Sequence, residues 1–270
     1  MLLNGILSGD EHPMVFTEIT FWIFFGFVLM GMVFIQKKNK LRNGFLFLVS
    51  LFFYYKTSGF FFTILLFSTV TDFYIGKAIF HSKEAKRKKT WLALSIVINL
   101  SVLIFFKYAY FFADSFNQLI GSSWHPVNHF AQFSNEVFGS SFRVDQILLP
   151  VGISFFTFQT MSYAIDIYKD KVKPVQNILD FGFYVSFFPQ LVAGPIERAN
   201  RLLPQFSKVR KFSFQNINNA LPLILFGFFK KVVIADSVSQ LVDNTFSNPN
   251  NFSNVDLILC SYIFSFQIYC

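Results

Sequence analysis

Charge is scarce in this chain: only 14% of its 270 residues are Asp, Glu, Lys or Arg, against 53% hydrophobic residues and 42 phenylalanines. A water-soluble core of this length cannot absorb so much apolar surface, whereas a lipid bilayer can. Soluble-enzyme signatures are missing as well, with no glycine-rich dinucleotide loop, no Walker loop, no GxSxG and no CxxC. The two cysteines, Cys260 and Cys270, share one apolar run and have neither zinc-ligand nor disulfide-framework spacing. Histidine is limited to four positions. His125 and His129 stand four apart, a spacing that can hold a metal on a helix. Pro126 and the lack of an acidic partner favour two solvated or interfacial histidines instead, and no metal site is expected. No cleavable leader is expected either. The first apolar stretch is too long for one and has no basic residues before it, so it reads as a retained anchor.

What remains is an all-α polytopic membrane protein. Its net charge of +8 comes from short Lys/Arg clusters at 37–42, 83–89, 169–173 and 198–211, each lying between apolar runs. That is the pattern of cytoplasmic loops and not a nucleic-acid footprint, so no nucleic-acid partner is expected. The chain reads as a single transmembrane domain over 1–270. Apolar spans are expected at about 15–35, 43–55, 60–80, 91–112, 147–168, 214–234 and 255–270. The charge rule places the N-terminus outside and 113–146 in an outside loop whose aromatic residues suit the membrane interface. The stretch 178–195 is short, contains Pro189, and has basic clusters on both sides. A re-entrant hairpin resolves that conflict, and such broken backbone must line protein or a water-filled cavity. The last apolar run stops short of a full crossing, as if the sequence were the N-terminal part of a longer one.

Polar residues at membrane depth carry the functional interest. Asp72 lies inside the span at 60–80, where pairing with a neighbouring polar group is the favoured reading. Gln159, Ser162 and Asp166 recur at spacings of three and four, so they share one helix face, and Gln190 and Glu197 flank the broken stretch. They could orient a polar substrate, or serve only as hydrogen-bond glue between helices. Spacing leaves both open.

Four motifs then bear on that choice: LLPVGISFFTFQTMSYAIDIY, FPQLVAGPIERANRLLPQF, GFFKKVVIAD and YIFSFQIYC. In this order they closely resemble the membrane-bound O-acyltransferase (MBOAT) family, in its bacterial alginate O-acetyltransferase branch, which is similar to the D-alanine export proteins of teichoic acid modification. The resemblance implies a ring of helices around a thin centre, with a tunnel joining the two faces. An acyl group, acetyl in that branch, would pass from a cytoplasmic thioester donor (acetyl-CoA or an acyl carrier, with no bound cofactor) to hydroxyls of an extracellular polysaccharide or to a partner acyltransferase. It would act in the cell membrane, in contact with membrane lipid. The residues it carries over form a cavity wall: Gln159, Ser162, Tyr163, Asp166, Gln190, Gly194, Pro195, Glu197 and Arg198. Gly194 and Pro195 would shape the hairpin, and Arg198 would meet a phosphate or carboxylate of the donor. The family's catalytic histidine follows an Asp-Phe-Ser-Gly-Tyr run that lies beyond FQIYC. None of His12, His81, His125 and His129 sits in a matching motif, so no catalytic residue is assigned here and these 270 residues alone are expected to be inactive. A transporter or channel subunit that moves an acyl or polymer precursor without chemistry is the rival reading.

Overall fold

A computed structural model describes residue 14 and residues 16–35, 37–124, 132, 150–191, 194, 197–208 and 213–270. All regular structure among them is helical. The chain, read above as one domain, falls into two compact units, 1–210 and 211–270.

In the first unit α1 (Ile19–Ile35) and α2 (Asn39–Ser58) are followed by a 3₁₀ turn at Gly59–Phe61 and by α3 (Phe62–His81). The break falls where Lys56-Thr57-Ser58-Gly59 interrupts the apolar pattern. Gly59 takes φ 59°, a value that costs glycine nothing and ends α2. α4 (Ala85–Ile120) is 36 residues long. It carries a π-helical stretch at Ile104–Tyr108 and continues through 113–120, the beginning of the expected outside loop. Asp114, Ser115, Asn117 and Gln118 alternate there with Phe111, Phe112, Phe116 and Leu119, an amphipathic repeat that keeps the helix going. Gly121 closes it at φ 69°, donating its N–H to the Asn117 carbonyl at 2.8 Å. The rest of the expected loop lies mostly outside the described residues, His125 and His129 included.

α5 (Ile153–Tyr168) packs against α3 and α4, while α6 (Ile178–Ser186) packs against α2 and α3. Their shared core contains Leu65, Ile79, Phe156, Tyr163, Ile167, Phe181 and Tyr184. A second, phenylalanine-rich core joins α1 and α2 to the α6 region through Phe21, Phe24, Phe53, Phe183 and Phe188. The Phe53 and Phe188 ring centres stand 5.4 Å apart, and those of Phe24 and Phe188 5.5 Å apart. Offset and edge-on ring pairs at these distances add to simple area burial, so phenylalanine is spent here on packing as well as on apolarity.

The expected re-entrant stretch is two short helices. α6 ends at Ser186, Phe187 takes a non-helical backbone (φ −50°, ψ 103°), and α7 (Phe188–Leu191) follows. The break precedes Pro189 because proline fits the first turn of a helix, where its missing N–H has no intrahelical acceptor. α8 (Ala199–Ser207) completes the unit.

The second unit comprises α9 (Phe214–Phe228), a π-helical stretch (Phe229–Ala235), α10 (Asp236–Ser247) and α11 (Asn254–Tyr269). Helix therefore continues past 234 through Asp236, where the sequence turns polar. Ser253 and Asp256 form a reciprocal capping box that starts α11. Few side chains here are buried, Val242, Thr245 and Cys260 among them, while Leu223, Val255, Tyr262, Ile268 and many other large apolar residues are exposed.

Two stretches, Asn39–His81 and Ala85–Ile120, are long and apolar enough to cross a membrane, and Ile19–Ile35 is a shorter apolar helix.

Candidate functional site

The polar face of α5 points inward. Gln159, only 3% exposed, donates from Nε2 to the Tyr184 carbonyl at 2.8 Å and so ties α5 to α6. Tyr163, one turn on, is fully buried. Its hydroxyl accepts the Val175 N–H at 3.0 Å, and its ring stacks obliquely on Phe181 at 4.5 Å. Tyr184 in turn donates its hydroxyl to the Glu197 carbonyl at 3.2 Å. The Asp166 and Glu197 carboxylates lie within electrostatic reach of that hydroxyl. Gln159, Tyr163, Asp166 and Glu197 are thus brought together around Tyr184, which spacing alone did not single out.

Asp166 differs from its neighbours. It is 5% exposed, and its Oδ2 has no hydrogen-bond partner among the described residues. Two other buried oxygens on the facing helices, Thr157 Oγ1 on α5 and Ser186 Oγ on α6, share that condition. A buried acceptor left unmet costs about 1–3 kcal/mol, and more when it is charged. Such an atom calls for a partner that the described residues do not supply.

The remaining expected residues have other roles. Ser162 is half-buried. Gln190 is buried on α7, and its carbonyl accepts the Gly194 N–H at 2.8 Å. A Cβ on Gly194 would come within 2.6 Å of the Gln190 Cα, so only glycine lets the chain fold back so closely. Pro195 lies outside the described residues. Glu197 is half-buried and contributes its carbonyl. Arg198 is exposed and caps α8 with its own carbonyl, which accepts from Arg201 N–H at 3.0 Å and Leu202 N–H at 3.2 Å.

A groove of about 440 Å³ opens beside this cluster, lined by Asn43, Lys171, Lys173, Asp180 and Asn200 among others. Arg198 is not part of its lining. Lys171 follows directly on the end of α5, where the Asp166 carbonyl accepts its backbone N–H at 2.9 Å. Lys171 and Lys173 form no ion pair with any described residue, so their charges are available to an anion. Beneath the groove Asn43 donates to Asp180 at 2.9 Å. Buried Arg42 donates to the Phe206 and Lys208 carbonyls and to Asn43 Oδ1.

Asp72 has the pairing expected of it. Ser95 Oγ donates to one carboxylate oxygen at 2.6 Å and Asn99 Nδ2 to the other at 2.7 Å. Asn99 Oδ1 accepts from Ser68 at 3.0 Å and from Thr160 at 3.1 Å, so α3, α4 and α5 are joined at one point. His81 is exposed, with its ring on the Lys77 carbonyl at 2.8 Å, far in sequence from the polar face of α5. Among the described residues no cluster of His, Cys, Asp or Glu could hold a metal.

These features define an all-helical protein with apolar outer surfaces, a polar face buried between helices, and a basic-rimmed groove beside it. Over 263 residues, 95% of the chain and 46% of the relative, it is 35% identical to the probable alginate O-acetylase AlgI of Pseudomonas aeruginosa. It is 34% identical to the corresponding Azotobacter vinelandii protein over 87% of the chain and 44% of that relative. It is 32% identical to a peptidoglycan O-acetyltransferase of Helicobacter pylori, over 82% of the chain and 44% of the relative. The resemblance read from the motifs holds: over most of its length the chain is similar to members of the membrane-bound O-acyltransferase family. It spans about half the length of the curated relatives it matches. No family model and no solved structure matches it.

Proposed function

We propose that this chain is part of a membrane-embedded O-acyltransferase that moves an acyl group, acetyl by analogy with its relatives, from a cytoplasmic thioester onto hydroxyls of an extracellular polysaccharide. The O-acetylase and O-acetyltransferase names of the relatives support O-acetyl transfer. The exposed apolar surfaces of both units support placement in the cell membrane. The observation that carries the reading is the Asp166 Oδ2, buried on the polar face of α5 with no hydrogen-bond partner among the described residues.

In the transfer itself an acceptor hydroxyl oxygen bonds to the thioester carbonyl carbon, the carbon–sulfur bond breaks, and the hydroxyl proton ends on the departing thiol. A histidine base for that proton belongs to the resemblance, and no histidine among the described residues lies on this face. The role of this chain is to hold the reactants. Asp166 accepts a hydrogen bond from an N–H or O–H of the bound molecule, and Gln159 fixes the spacing of α5 and α6 around it. Lys171 and Lys173 attract the anionic part of the donor on the cytoplasmic side.

In the full-length protein, Asp166→Asn or Gln159→Leu should lower acetyl transfer roughly tenfold or more, since displaced reactants lose orientation. Acetylated polymer is measured in cells lacking the native enzyme, with membrane abundance as the control for folding. Wild-type transfer by both variants at equal abundance would sink the assignment. Lys171→Gln with Lys173→Gln should instead raise the donor KM by roughly fivefold and leave kcat unchanged, because exposed charges each contribute at most ~1 kcal/mol. That effect should shrink at high salt. A fall in kcat with constant KM would place the lysines elsewhere in the cycle.

A further inference from the structure

A second groove, of about 370 Å³, shares Phe206 with the first and lies against α1. Leu29 and Met32 of α1, Leu46 of α2, and Phe183 and Phe188 of the broken helix give it an apolar floor. Polar groups enter only at Arg42 and Gln205. Arg42 belongs to the start of α2 and Met32 to the end of α1, so the polar end lies toward the turn that carries Lys37 and Lys38. Both lysines are exposed and form no ion pair with a described residue. The guanidinium of Arg42 is engaged with the Phe206 and Lys208 carbonyls, so it builds the wall of the groove and leaves the lysines to meet a ligand's charge.

We propose that this groove binds one acyl chain of an anionic membrane phospholipid, with the phosphate held at Lys37 and Lys38. The inference rests on the membrane placement proposed above. Three features select the occupant. The groove is apolar along its length and polar at one end, as an amphiphile requires. Its polar end is lined by Arg42 and lies toward Lys37 and Lys38, which pair with no described carboxylate and so suit a phosphate. Its volume suits a single chain: a methylene fills a little less than the ~30 Å³ share of a liquid water, so on the order of a dozen carbons fit. A bound chain would brace α1 against the break at Phe187.

The test uses the full-length protein, purified from membranes in neutral detergent and exchanged against an equal mixture of phosphatidylglycerol and phosphatidylethanolamine. Retained lipid is quantified by mass spectrometry. About one phosphatidylglycerol per protein is expected. Met32→Trp, which fills the groove, should reduce it to background, while the volume-conserving Met32→Leu retains it. Each of Lys37→Gln and Lys38→Gln should cut the preference for phosphatidylglycerol by roughly fivefold, the equivalent of ~1 kcal/mol per basic residue. Equal retention of the two lipids overturns the headgroup assignment. Undiminished lipid on Met32→Trp, or none on the wild type because another part of the protein fills the groove, overturns the site. A protein that fails to sediment with membranes would instead sink the membrane reading itself, so the two failures are distinguishable.

Discussion

Gly152→Ala should lower stability by roughly 2–5 kcal/mol and leave little folded protein after extraction. Gly152 starts α5 with φ 73°, a conformation that costs an L-residue about 1–2 kcal/mol. A Cβ at this position would also run into the Leu191 carbonyl oxygen, closer than real Cβ contacts come. That obstacle is backbone at the end of α7 and cannot rotate away, so α5 and α7 must separate. Overpacking of this kind typically costs a further 1–3 kcal/mol. Gly182→Ala is a milder case, because its Cβ would meet the Phe47 ring at 2.6 Å, and a side chain can yield. Gly26→Ala has nothing within 4 Å and should be neutral or slightly stabilising, helix propensity favouring alanine. Thermal melting in detergent, with size-exclusion profiles, ranks the three. Equal stability of Gly152→Ala and Gly26→Ala would mean that α5 does not dock on α7 as described.

The docking at Gly152 shows where sequence reading runs out. Helix content, the interruption before Gly59 and the break near Pro189 are written in local pattern, because hydrophobic periodicity and helix breakers act over a few residues. The inward face of α5 is local as well, since Gln159, Tyr163 and Asp166 follow the helical period. Tertiary partners are not local. Lys37 to Arg42 reads as one topology marker, yet Arg42 is 3% exposed and braces the chain around Phe206, while the lysines beside it face outward. The resemblance gives Arg198 to the donor's phosphate or carboxylate; its side chain is exposed and outside the groove lining, which holds Lys171 and Lys173. The apolar run ending at 234 carries Lys230 and Lys231 near its end and is followed by Asp236. The π-helical stretch supplies the missing reason for continuity. A five-residue hydrogen-bond period brings Lys231 and Asp236 onto one side, where Nζ lies 2.6 Å from the carboxylate and the two charges neutralise. Lys230 rests over the rings of Phe226 and Tyr269, at 5.0 and 4.6 Å, joining two of the motifs that carried the resemblance.

Asn99→Leu should destabilise the first unit by roughly 2–3 kcal/mol, the second large effect. Asn99 donates to Asp72 and to the Ser95 carbonyl and accepts from Ser68 and Thr160, so one substitution removes four bonds. Interhelical polar contacts in membranes average about 0.6 kcal/mol each, because the unfolded helices also find partners there. The larger part of the loss is the state in which Asp72 is left, fully buried with only the Ser95 and Thr160 hydroxyls beside its carboxylate. Replacing the whole network with apolar side chains (Ser68→Ala, Asp72→Leu, Ser95→Ala, Asn99→Leu and Thr160→Val together) should therefore recover most of the stability that Asn99→Leu loses. Removing both sides of a polar contact leaves nothing unsatisfied. Melting temperatures of the single and combined variants measure this non-additivity directly. If the combined variant is no more stable than Asn99→Leu, the hydrogen bonds themselves hold α3, α4 and α5 together. Acetyl transfer by a stable combined variant then separates structure from chemistry. Retained activity is expected, because Asp72 has both oxygens occupied by partners within the fold, whereas Asp166 keeps one open. Loss of activity at full stability would move Asp72 into the reaction and make the junction of α3, α4 and α5 part of the acyl path.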